Sequence, residues 1–150
     1  RSGATYVFVG SGAEWTLQAY PKASNPDEDD SFGGSVGLSR DGSTLVVGAR
    51  GEDSLAVDLD GIQADNSGDN VGAAYVFRRS GANWSQASYV KPTNSRAHQG
   101  FGSEVAVFGD GRGVVVGAPD ESGNSTGLDG DQNSGGALGS GAVYLRMDLP

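Results

Sequence analysis

The chain has 150 residues, 26 of them Gly and none Cys, and carries a formal net charge of −9 from 19 acidic and 10 basic residues. That length suits one domain with a substantial core, and the missing Cys excludes a disulfide framework and thiol chemistry. The acidity, with Lys22, Lys91, Arg96 and Arg112 scattered rather than striped, argues against nucleic acid, which is held largely by Lys and Arg on phosphates.

No stretch approaches the roughly 20 apolar residues that a membrane-spanning helix needs. None shows sustained 3.6-residue periodicity, so no helix is expected. The sequence starts at Arg1 rather than Met, as expected of a processed product or a piece of a longer chain. Abundant Gly between short Val-, Tyr- and Phe-rich runs predicts short strands joined by turns.

In chain order, the first strand reads Gly3-Ala4-Thr5-Tyr6-Val7-Phe8, and it returns as Gly72 to Phe77 and as Gly141 to Arg146. An offset of 69 residues separates Tyr6 from Tyr75 and Tyr75 from Tyr144. Trp15 and Trp84, Tyr20 and Tyr89, Lys22 and Lys91, Phe32-Gly33 and Phe101-Gly102, and Gly48-Ala49 and Gly117-Ala118 all keep that offset without a gap. Such a period marks a repeat architecture.

Each period predicts four strands, over about 34–38, 44–48, 72–78 and 84–90 in the complete copy. Asp41-Gly42 and Asp110-Gly111 predict a tight primed turn between the first two. Ser80-Gly81 joins the last two, and a long polar loop, 51–70, joins the second and third. The linkers run over 21–31 and 92–100, and the acidic run Asp27 to Asp30 in the first reads as a solvated surface loop. Four antiparallel strands per repeat predict an all-β fold of β-propeller blades, with a 69-residue repeat and an incomplete propeller in this chain. The expected units are 1–31, strands three and four of a partial blade; 32–100, a complete blade; and 101–150, a second blade lacking its fourth strand.

Phe-Gly at 32–33 and 101–102, a Val-rich strand ending in Gly48-Ala49-Arg50 or Gly117-Ala118-Pro119, and then Gly-Ala-x-Tyr-Val-Phe resemble the FG-GAP repeat across essentially the whole chain. That family includes the propeller of integrin α chains and bacterial surface and secreted proteins. The likeness is closer to the bacterial multi-repeat type, which shares the Trp-bearing fourth strand and the loop of the kind seen at 127–132. It implies an extracellular or cell-surface setting and a non-catalytic role in adhesion, recognition or surface assembly. The family's calcium loop between the first two strands is not carried over: 39–43 and 108–112 each hold one acid, far short of the six to eight oxygens calcium takes.

The metal candidate lies instead in the long loop. Asp129, Asp131 and Asn133 alternate as calcium-loop oxygens do, and the other copy offers Asp58 and Asp60. Turn formation accounts for the same residues. Trp15, Tyr20, Trp84 and Tyr89 either stack on sugars, making the chain a carbohydrate-binding or carbohydrate-acting protein, or pack between blades. Catalysis finds little support. His98 is the only histidine and sits in a linker, no Ser occupies a GxSxG elbow, and no P-loop lysine is present. Glu52-Asp53 and Asp120-Glu121 recur after the Gly-Ala strand, where a loop or cation role fits better than acid–base work. The unmatched strands at the two ends are complementary, so further copies of the chain, or further repeats of one array, are the expected partners.

Overall fold

A computed structural model describes residues 2–147 and 149. The described residues contain nine β-strands and no helix. β1 (Val7–Ser11) and β2 (Glu14–Ala19) form a hairpin. β3 (Ser35–Leu38), β4 (Thr44–Ala49), β5 (Ala73–Ser80) and β6 (Asn83–Val90) form a four-stranded antiparallel meander in sequence order. β7 (Glu104–Val107), β8 (Val114–Ala118) and β9 (Ala142–Arg146) repeat its first three strands.

Both faces of the central sheet are apolar, and alternation along its strands sorts them. Leu45, Val47, Ala49, Ala73, Tyr75, Phe77 and Tyr89 face the N-terminal hairpin with Phe32. Val46, Ala74, Val76 and Val90 face the C-terminal sheet, where Phe101, Val114, Val116 and Ala118 meet them. β4 is therefore buried at every position. That is why its sequence, Thr-Leu-Val-Val-Gly-Ala, shows no polar alternation.

The Phe-Gly pairs lock one sheet to the next. Gly72 forms a parallel bridge with Phe101, and Gly3 forms the same bridge with Phe32. Phe101 packs edge-on against Tyr144 at 5.3 Å between ring centroids, and Phe32 meets Tyr75 at the same distance. Gly102 has φ +88, and a Cβ there would stand 2.1 Å from the Ala73 carbonyl oxygen. The glycine is thus required by both backbone conformation and close approach.

The Asp-Gly turns differ from the two-residue primed turn expected. Six residues separate β7 from β8, and in each hairpin only the glycine takes positive φ, Gly42 at 68 and Gly111 at 74. Gly42 N–H donates to the Ser39 carbonyl at 2.9 Å and Ser39 N–H to the Thr44 carbonyl at 2.8 Å. Asp41 stays at ordinary φ because its carboxylate is used as a local acceptor for Ser43 N–H, 3.0 Å away.

The stack leaves two apolar end faces. Tyr6, Phe8, Trp15 and Tyr20 stand exposed on the N-terminal hairpin, and Val36 and Leu38 beside it on β3. Val143 and Leu145 are 74% and 61% exposed on β9, whereas Ala74 and Val76, each 69 residues earlier, are 0% exposed.

Gly102→Ala should destabilise the chain by about 3 kcal/mol or more, since it adds a clash to a disfavoured φ. Gly127→Ala, also at positive φ but with nothing within 4 Å of the new Cβ, should cost only about 1 kcal/mol. Urea midpoints of the two variants check the difference.

Candidate functional site

The most heavily buried charged groups lie where the long loop, the linker and β6 converge. Lys91 Nζ donates to Glu52 Oε2 at 2.7 Å and to the Gly72 carbonyl at 2.7 Å, and both side chains are essentially sealed from solvent. Glu52 also accepts Asn25 Nδ2–H at 3.0 Å and Ser54 N–H at 3.2 Å. Asn25 Oδ1 in turn accepts the Tyr75 hydroxyl at 2.8 Å. Desolvation lowers the Lys91 pKa, opposed by the Glu52 carboxylate. Burial raises Tyr75 and Tyr89, with Glu52 adding to both. The Tyr89 hydroxyl sits beside Glu52 yet makes no hydrogen bond of good geometry. A carboxylate holding a buried ammonium is stable only as a pair, because either charge alone would bear its full desolvation penalty.

Sixty-nine residues on, Glu121, Asn94 and Tyr144 repeat the acid, amide and phenol of this network. Glu121 is 5% exposed; it accepts Asn94 Nδ2–H at 3.2 Å and Gly123 N–H at 2.8 Å. The Tyr144 hydroxyl donates to Asn94 Oδ1 at 2.6 Å, and burial raises Tyr144 to about 12. Among the described residues no cation lies within ion-pair distance of Glu121. Lys22, the counterpart of Lys91, donates to Ser2 Oγ at 3.1 Å and to the Gly3 carbonyl. The sequence carried the signal, an acid and a lysine each repeating at one offset, but pairing residues 39 apart required the fold.

The acids proposed for a metal are engaged within the protein. Asp58 pairs with Arg146, and Asp60 Oδ1 accepts Tyr89 N–H at 2.8 Å. Asp58 and Lys91 also share a backbone hydrogen bond, and Leu59 bridges Val90, which extends the outer edge of β6. Asp131 Oδ1 caps Asn133 N–H at 2.9 Å, and the Asn133 carbonyl accepts Arg96 Nη2–H at 2.9 Å. Asp58, Asp60 and Asp129 all adopt positive φ, a turn role that Asp tolerates. Among the described residues no group of three or more His, Cys, Asp or Glu side chains is placed to hold a metal ion. The run Asp27 to Asp30 is not wholly solvated as expected. Asp30 is 2% exposed, where it accepts Asp27 N–H at 2.7 Å, and burial raises its carboxyl pKa. Gln99 does the same for Arg96 N–H, so the buried acceptor, not the charge, is what recurs.

Two clefts open between the sheets. One, of roughly 310 Å3, is lined by Tyr20, Lys22, Ser24, Phe77, Trp84 and Gln86. Trp84 donates from Nε1 to Gln18 Oε1 at 3.0 Å, and Arg79 lies over its ring. Trp84 is partly buried and Tyr89 fully buried, while Trp15 and Tyr20 are exposed. The second cleft, roughly 500 Å3, is bordered by Arg50, Asn70, His98, Ser103 and Asp120. His98 lies 3.6 Å from Asp69, both exposed, and the Ser103 hydroxyl donates to the Gly100 carbonyl rather than to His98.

Antiparallel sheets of two to four strands, interlocked by Phe-Gly pairs, define an all-β repeat protein. Residues 15–77 match the family model described as FG-GAP repeat. The segment from Phe101 onward lies outside the match. No curated protein matches the sequence significantly.

The buried tyrosines set an alkaline limit. Unfolded, each ionises near pH 10; folded, each holds its proton to higher pH, Tyr144 to about 12. Their stabilisation is complete below pH 10 and lost as pH rises beyond it. Lys91 acts oppositely, adding stability as pH rises from its lowered value toward 10.5. The urea midpoint should therefore fall between pH 10 and 12, and Tyr144→Phe should flatten that fall.

Proposed function

We propose that this chain is a non-catalytic, extracellular β-propeller module for adhesion, recognition or surface assembly, whose copies join by strand exchange. The observation that carries this reading is the repeated blade with exposed apolar faces on its outermost sheets. Among the described residues the C-terminal sheet repeats the first three strands of the central sheet, and the N-terminal hairpin corresponds to its third and fourth. The end faces are apolar and exposed, and an open strand edge is a template for pairing. The FG-GAP repeat at 15–77 supports the class, since such repeats build propeller-like modules often tied to adhesion. No helix among the described residues is long and apolar enough to cross a membrane. Head-to-tail contact of this kind gives a ring if the rotation closes and a filament if it does not.

The acidic long loop, centred on Asp129, Asp131 and Asn133, is the part of this module we assign to calcium, with Asp58 and Asp60 in the other copy as weaker ligands. Light scattering on the full chain tests the assembly. The full chain should form multimers, and a monodisperse full-length monomer overturns the reading. Repeating the measurement with calcium and with a chelator should shift thermal stability through the loop, and no shift at millimolar calcium overturns the calcium assignment.

The cleft beside Trp84 and Tyr20 favours a second reading, a carbohydrate-binding or carbohydrate-acting protein, because a ring face at the wall of a polar cleft suits sugar stacking. A glycan array separates the two. Binding that disappears in Trp84→Ala would support the sugar site, and an array without signal would remove it.

A further inference from the structure

Lys91 and Asn25 meet the two oxygens of one carboxylate. Glu52 Oε2 accepts Lys91 Nζ–H at 2.7 Å, and Glu52 Oε1 accepts Asn25 Nδ2–H at 3.0 Å. Asn25 Nδ2 also donates to the Gln63 carbonyl at 2.8 Å, and Asn25 Oδ1 accepts the Tyr75 hydroxyl at 2.8 Å. The phenol draws electron density toward that oxygen and leaves the amide carbon more open to attack. Lys91, Glu52 and Tyr75 are sealed from solvent. The Tyr89 hydroxyl is buried beside Glu52 and makes no hydrogen bond of good geometry. An ion pair alone would suffice as a structural clamp. An amine, a carboxylate touching both it and an amide, and a donor on the amide oxygen are the nucleophile, base and oxyanion partner that amide transfer requires.

Two further features favour reaction at this place. An ammonium has no lone pair to attack with, and desolvation of Lys91 favours its neutral amine. Asparagine ordinarily loses ammonia when the next backbone nitrogen attacks its Cγ. Here the next residue is Pro26, which carries no N–H, so that route is closed and the Asn25 amide is kept. Ser24 N–H donates to Gln86 Oε1 at 3.2 Å. The linker that carries Asn25 is thereby held against β6, the strand that leads to Lys91.

We propose that Lys91 and Asn25 are the two halves of an intramolecular amide cross-link, formed by attack of Lys91 Nζ on the side-chain carbonyl carbon of Asn25 with Glu52 carrying the protons. Glu52 Oε2 takes a proton from the ammonium, and the freed amine forms the Nζ–Cγ bond. The Tyr75 hydroxyl steadies the charge that develops on Oδ1. The Cγ–Nδ2 bond then breaks. Of the two protons that leave Nζ, one passes through Glu52 to the departing nitrogen, which leaves as ammonia, and the other stays on Glu52. Atoms and charge balance without an oxidant or cofactor. A buried ion pair is exchanged for a neutral amide and a neutral acid, which removes the desolvation burden of both charges. The Glu52 acid proton can then be donated to the Tyr89 hydroxyl oxygen. The bond ties the linker to the end of β6 and closes the loop from residue 25 to residue 91, which restricts the unfolded chain as any long-range cross-link does. It is independent of how copies of the chain associate.

Mass spectrometry of the full chain tests it. The folded protein, followed over days from purification, should become lighter than its sequence by one ammonia. A tryptic digest should then yield a joined pair, residues 23–40 linked to residues 80–96, with tandem spectra placing the bond between Asn25 and Lys91. Asn25→Ala and Lys91→Met should keep the full mass. Glu52→Gln should abolish the loss, and Tyr75→Phe, which keeps the packed ring, should slow it roughly tenfold or more. A parent chain that stays folded and keeps its full mass overturns the proposal. So does an ammonia loss that maps within a single peptide, which marks a cyclised asparagine elsewhere. A link that forms as fast in Glu52→Gln and in Tyr75→Phe would overturn the roles given to the carboxylate and the phenol.

Discussion

The structure depends on a sheet whose two faces must both be covered. β4 and β5 place one set of side chains toward the N-terminal hairpin and the alternate set toward the C-terminal sheet. A fully buried Val, Tyr or Phe contributes about 1.5–3 kcal/mol, so neither neighbour can be removed without exposing a large part of the core. The Phe-Gly pair enforces this cover. Phe fills the space between sheets, and Gly lets two backbones meet where any Cβ would collide. The same requirement explains the exposed Val143, Leu145, Val36 and Leu38.

Polar burial adds a second constraint to that stack. Lys91 crosses from the end of β6 to Glu52 on the long loop, and Asn25 ties the same carboxylate to Tyr75. Apolar packing tolerates small slips; a buried ion pair does not, because misplacement strands both charges in a poorly solvating interior. The network thus holds four separate segments in one register. The same linkage of long loop, linker and third strand recurs around Glu121, where Asn94 joins the carboxylate to Tyr144.

The acid-rich loops illustrate how one composition serves two ends. Asp41 and Asp110 close hairpins by accepting backbone N–H groups two residues on. Asp41 is held down to about 2 by hydrogen bonds from Ser39 and Ser43, and Asp65 is lowered by Ser67 and Leu55. These carboxylates organise backbone, which keeps long loops ordered without a core of their own.

The sequence by itself determined the strands. Short Val-, Tyr- and Phe-rich runs between Gly and Asp punctuation placed the four strands of the central sheet within a few residues, because strand pattern and turn chemistry are local, whereas the first strand, read over 3–8, lies at Val7–Ser11. It also determined the all-β class and the FG-GAP likeness, which rest on residues adjacent in the chain. The type of the Asp-Gly turns was beyond it, since Asp accepts either backbone conformation and neighbouring hydrogen bonds choose between them. So was the fate of Asp30, which reads as solvated until Asp27 and the sheet close over it. The Glu52–Lys91 pair was written at a constant offset, yet only the tertiary structure decided it. Thirty-nine residues of loop and strand must fold before the two charges meet, and desolvation, which makes the pairing obligatory, does not exist in the extended chain.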